Sequence, residues 1–106
     1  MARTMRPDEP EMFRAVLEYR DRKPNPESNW DNRQIVPRYL DEWEDKVHVE
    51  IRGPYNTKTK ARTQAGVMRA RRLRWGNTWS AGERTQATQV VRAFIQRATA
   101  VWEDVE

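Results

Sequence analysis

The chain has 106 residues, 37% of them hydrophobic and 34% charged, with a formal net charge of +4. That length allows one modest core, and five tryptophans, three tyrosines and two phenylalanines supply much of the area a lean core needs. The absence of cysteine excludes disulfides, thiolate nucleophiles and sulfur metal sites, and no apolar run reaches the roughly 20 residues that span a bilayer.

Residues 1–10 carry two prolines and mixed charges and read as a loose leader to a single domain over 11–106. The opening "MARTMRPDEPEMF" lacks a signal-peptide core, so a cytoplasmic protein is expected. In "EMFRAVLEYRD", Phe13, Ala15, Leu17 and Tyr19 alternate with Arg14, Glu18 and Arg20. This period of two predicts a half-buried strand near 12–20. The stretch "RKPNPESNWDNRQIVP" holds three prolines and three asparagines and predicts a long loop, which Trp30 is expected to pin to the body. "RYLDEWEDK" suits one or two helical turns that gather Tyr39, Leu40 and Trp43 and turn Asp41, Glu42, Glu44 and Asp45 outward.

"KVHVEIRG" predicts a strand near 46–52 with Val47, Val49 and Ile51 on one face and His48, Glu50 and Arg52 on the other. Gly53-Pro54 ends it. Asn56 or Thr57 can cap a helix near 57–74, because a short side-chain oxygen satisfies free amides at a helix start. Ala61, Ala65 and Met68 form its inner stripe, Arg72 extends that stripe to the expected limit of core contact, and Gly76 is the expected stop.

The last third admits two readings. "SAGE" at Ser80–Glu83 fits a capping box for a short helix over 80–88, followed by a strand near 90–102. The alternative is one helix over 81–103, which the spacing of Ala87, Val91, Phe94, Ile95, Ala98 and Trp102 permits. The expected fold is therefore a small α+β domain. A three-stranded antiparallel sheet packs on one main helix in the order β-β-α-β, with the last segment open to a helical alternative.

The charge is unevenly placed. Arg52 to Gly82 contains eight basic residues and no acid, whereas the rest of the chain carries twelve basic and sixteen acidic groups. Such asymmetry marks either a solvated face or a surface that meets a polyanion or an acidic partner. Lys58, Lys60, Arg62, Arg69, Arg71, Arg72 and Arg74 spread over both flanks of the inner stripe, which suits phosphate contact better than base reading. Arg52 and Tyr55 stand at the edge between strand and helix, and Tyr55, Trp75 and Trp79 can stack on bases or pack on the core.

The stretch "VHVEIRGPYNTKTKARTQAGVMRAR", through Gly53, Tyr55, Thr57, Lys58 and Ala61, resembles the arm-binding domain of tyrosine integrases. It is also similar to the plant ethylene-response type of DNA-binding domain. That resemblance covers about 25 residues and implies three strands on one helix, with the sheet in the major groove of DNA. The stretch "EIRGPYNTK", with the closing "QRATAVWEDV", resembles small uncharacterised accessory proteins of actinobacterial phages. This implies a viral protein without catalytic activity, working in the host cytoplasm.

Chemistry is sparse. His48 is the one histidine and suits an ordinary sheet position, so zinc and serine-triad chemistry lack their usual ligand and base sets. The acids at 41–45 and 103–106 have neither calcium-loop spacing nor a phosphate loop beside them. No catalytic residue, metal ligand or cofactor is assigned. The expected function is non-catalytic binding of nucleic acid through 52–75. The alternative is a protein–protein module that binds and inhibits or redirects an acidic host protein, with a homodimer as a variant.

Overall fold

Alternation along Phe13, Ala15, Leu17 and Tyr19 builds the central strand of the fold. In the computed structural model, which describes residues 12–98 and 103–105, this strand is β1 (Phe13–Pro24). There follow β2 (Tyr39–Trp43), β3 (His48–Tyr55), α1 (Lys58–Gly76), β4 (Asn77–Ser80), β5 (Glu83–Gln86), β6 (Thr88–Arg97) and β7 (Glu103–Asp104). The expected leader over 1–10 and the strand end over 99–102 lie outside the described residues.

β1 pairs antiparallel with β6 along one edge, from Phe13 opposite Arg97 to Asp21 opposite Thr88. Its other edge pairs antiparallel with β3, from Phe13 opposite Tyr55 to Tyr19 opposite His48. β2 joins the far end of β1, and β7 joins β6, so the sheet has five strands. β4 and β5 form a separate two-stranded hairpin. The α+β class, the antiparallel sheet and the single main helix agree with the sequence. The strand count does not, since three strands were expected.

The core lies between α1 and the sheet face bearing the odd-numbered residues of β1. Phe13, Ala15, Leu17, Ala61, Ala65, Met68 and Ile95 form one buried cluster, edged by Tyr19, Tyr55, Val90 and Val105. Ala61 and Ala65 carry only a methyl group, which lets the helix lie close on the strands. Thr57 caps the helix, its hydroxyl accepting from the Lys60 amide at 3.1 Å. At the other end, Gly76 is the last helical residue. A Cβ there would lie 2.7 Å from Thr88, so close approach to β6 selects glycine.

Three expectations are corrected. "RYLDEWEDK" contains a strand, because cross-strand contacts outweigh helical pairs. Arg22 of β1 bonds Asp41 at 2.8 Å and stacks on Trp43 at 4.6 Å, while Lys23 pairs Glu42 at 3.1 Å. "SAGE" is a hairpin turn and caps no helix. Ser80 pairs with Glu83, and between them Ala81 (φ 51°) and Gly82 (φ 81°) adopt the left-handed backbone that a two-residue turn requires. The helical alternative over 81–103 also falls, since 83–86 and 88–97 are strands. The β-branched Thr85, Thr88, Val90, Val91 and Ile95 prevail over the helical spacing there.

The sequence pattern leaves the facing of β3 open. Leu17 lies opposite Glu50 and Ala15 opposite Arg52, so the polar row faces α1. Val49 and Ile51 point the other way and stay exposed. A period of two cannot say which face is the core. The decision comes from Arg72 of α1, which reaches Glu50 at 3.2 Å and makes the polar row tolerable on that side.

Candidate nucleic-acid interface

The helix α1 carries seven cations and no acid. Lys58, Lys60 and Arg62 crowd its N-terminal end, where the partial positive charge of the helix disfavours them. Lys58 and Arg62 are four residues apart and repel one another. A local arrangement that works against helix stability points to a use outside the helix.

The structure sorts the expected site residues into two groups. Arg52 and Arg72 work inward. Both hold Glu50, at 3.3 and 3.2 Å, and Arg72 also lies 4.2 Å over the Tyr19 ring and 5.3 Å over the Trp75 ring. Tyr55 is half-buried against the core. Lys58 and Arg62 each have an interaction partner, and Lys60 Nζ donates to Asn56 Oδ1 at 3.1 Å. The side chains of Arg69, Arg71 and Arg74 have no hydrogen bond or ion pair with a described residue. Arg69 and Arg74 are exposed and Arg71 is half-exposed. Helical geometry puts Arg71 and Arg74 on the flank shared with Lys60, and Arg69 on the flank shared with Lys58 and Arg62.

The sheet is a poorer candidate than the integrase-like resemblance implies. Its face away from α1 presents Arg14, Arg20 and Arg92, but two of these are held by neighbours. Arg14 Nε donates to Gln96 at 2.7 Å, and burial lowers its guanidinium below the ordinary value. Arg92 bonds Asp104 at 2.8 Å and covers the Phe94 ring at 3.8 Å. Val49 and Ile51 share this face. Gln96 and Arg92 in turn hold the Asp104 carboxyl below its usual value.

A second cluster contains Trp75 and Trp79, which the sequence offers for base stacking or core packing, together with Trp30, which it assigns to pinning the loop. Trp30, Trp75 and Trp79 are 76%, 61% and 56% exposed, so they do not fill the core as tryptophans in a small domain usually do. Trp30 does not pin its loop. The asparagines brace the loop internally: Asn29 Oδ1 accepts from the amides of Asp31 and Asn32, Asn32 Oδ1 accepts from Asn29, and Asn25 Oδ1 accepts from Glu27. Arg33 lies 3.8 Å over Trp30, and Arg84 lies 5.0 Å over Trp79. Trp30, Arg33, Arg38 and Trp79 line one open cleft of about 560 Å³. Arg38 also lines a second cleft of about 360 Å³ with Arg72 and Trp75. The available signal was the repeated pairing of Trp with Arg a few residues away.

His48 stacks on Tyr19 at 5.2 Å, with its Nε2 3.6 Å from Asp21 Oδ2. Thr88 Oγ1 donates to the other oxygen of the same carboxylate at 3.0 Å. The acid thus stands between histidine and hydroxyl, whereas a nucleophilic triad needs the histidine in the middle. Among the described residues no group of three or more histidines and acids is placed to hold a metal ion. No helix among them is long and apolar enough to cross a membrane. Comparison with protein families, with curated proteins and with solved structures finds no match.

Proposed function

We propose that the chain is a small non-catalytic binding protein, of the kind phages encode, that contacts nucleic-acid phosphates through the outer surface of α1. One observation carries the reading. Arg69, Arg71 and Arg74 stand on an acid-free helix with no internal ion pair to a described residue, while neighbouring Arg72 is held by Glu50 and the Tyr19 ring. Arginines left over from folding, on a surface of one sign, suit repeated phosphates better than a single defined contact. Lys60 adds to the flank of Arg71 and Arg74, and Lys58 and Arg62 lie on the flank of Arg69, where they strengthen the local potential. No base-reading row accompanies them, so the binding is of low sequence specificity.

The test is fluorescence anisotropy on random duplex and single-stranded DNA at two salt concentrations, with the wild type and an Arg69/Arg71/Arg74→Ala variant. Binding at low salt that weakens at high salt and in the variant supports the reading. No binding at low salt, or binding that the variant leaves unchanged, rejects it.

A protein partner is the second reading, favoured by Val49 and Ile51, which are 59% and 49% exposed on β3. Adjacent exposed β-branched residues on an outer strand suit strand addition or an acidic host protein seated beside them. Capture of a host protein from nuclease-treated lysate, lost on Val49/Ile51→Ser, would favour it over nucleic acid.

A further inference from the structure

Trp30 comes from the loop between β1 and β2, and Trp79 from β4, yet both line the cleft of about 560 Å³. Its charged lining residues are Arg33 and Arg38, with no acid. Asn29 and Gln34 add side-chain amides. This is the composition that an unpaired nucleotide meets in single-strand binding proteins: ring faces for the base, guanidinium groups for the phosphate and amides for base edges.

The geometry holds this set in place without filling it. Arg38 is the keystone. Its amide donates to Ser80 Oγ at 2.8 Å and its guanidinium donates to Thr78 Oγ1 at 3.1 Å, which ties the long loop to the β4–β5 hairpin. Ser80 is buried, so its hydroxyl is committed to that tie. The asparagine turns fix the loop backbone beneath Trp30. Arg33 occupies one face of Trp30, and the remaining indole surface stays open. Leaving two large aromatic side chains wet has a cost that core packing would avoid. Stacking on a base removes that cost, and a duplex cannot offer a base face without unstacking.

We propose that the Trp30–Trp79 cleft binds unpaired bases and gives the protein a preference for single-stranded nucleic acid. This rests on the nucleic-acid reading of α1 and deepens it. The second cleft shares Arg38 as a lining residue and is walled by Trp75 at the end of α1, but Asp21 also lines it, so the acid-free first cleft is the better seat for a phosphate-bearing strand.

The experiment compares wild type, Trp30/Trp79→Ala and Arg69/Arg71/Arg74→Ala on a fluorescein-labelled oligothymidine and on a duplex of equal length, at one low salt concentration. Both tryptophans are exposed, so the Trp variant keeps its melting temperature, checked by circular dichroism. The expected result is about a tenfold or greater loss on oligothymidine with less than a twofold change on duplex. The arginine variant loses affinity for both. An equal effect of the tryptophan change on both ligands, or no effect on either, overturns the cleft while duplex binding still supports the α1 reading. Wild type binding neither ligand overturns both.

Discussion

At the scale of single residues, the cations of this chain are not equivalent, although they look so in the sequence. Arg72 sits between Glu50, Tyr19 and Trp75, whereas Arg71 and Arg74 have none of these contacts. Truncating Arg72 leaves Glu50 beneath the helix with only Arg52 as a partner. Arg72→Ala should therefore destabilise the fold by about 1–3 kcal/mol, the range for a lost charged hydrogen bond, read by urea denaturation. Arg71→Ala should leave the midpoint almost unchanged. Gly76 provides a second test. Because a Cβ there would meet Thr88 at 2.7 Å, Gly76→Ala should cost about 1–3 kcal/mol of overpacking even though alanine favours helix. A more stable Gly76→Ala variant would refute the close approach. The role of Ala61 and Ala65 as the inner stripe was legible in the sequence, since 3.6-residue spacing of small side chains has few other meanings. The task of Arg72 was not legible, because its partner Glu50 lies 22 residues away and a period of two does not say which face of its strand meets the helix.

At the scale of elements, the helix and the first and third strands follow from local pattern, while β2, β4, β5 and β7 follow from pairing. "RYLDEWEDK" and "SAGERTQ" each carry helical signals, and each is overruled by cross-strand contacts that no local window contains. Ala81 and Gly82 show the limit clearly. Glycine at the second turn position is a hairpin cue, but the serine and glutamate around it imitate a helix cap. β7 is held through a titratable group. Gln96 Nε2 donates to Asp104 Oδ1 at 2.9 Å, and Arg92 bonds Oδ2 at 2.8 Å, which keeps the carboxyl below its ordinary value of 3.8. A depressed folded-state value means that the contribution is full above the ordinary carboxylate range and is lost as pH falls through the depressed one. The Val105 amide, which donates to Ile95 at 3.1 Å, reports on this pairing. Amide exchange should show protection near neutral pH that declines only below the usual carboxylate range. Asp104→Ala should remove that decline by weakening protection throughout. Protection independent of both pH and Asp104 would contradict the role of the carboxylate.

At the scale of the whole molecule, the acid-free stretch from Arg52 to Gly82 resolves into a cationic helix ending at exposed Trp75 and a hairpin strand bearing exposed Trp79, which shares a cleft with Trp30 of the long loop. The first was visible in the sequence as a count of charges. The second was hidden, because Trp30 and Trp79 lie 49 positions apart and meet only through the tie between Arg38 and the hairpin. The two features are separable in experiment, the helix governing strength and salt dependence and the cleft governing strand preference. The cationic helix is the central claim, and counterion release tests it directly. The slope of log K against log salt concentration should be clearly negative for the wild type on duplex DNA. In Arg69/Arg71/Arg74→Ala it should become shallower by about 2–3, since each phosphate contact contributes about 0.9. A wild-type slope near zero, or an equal slope in the variant, would contradict the account.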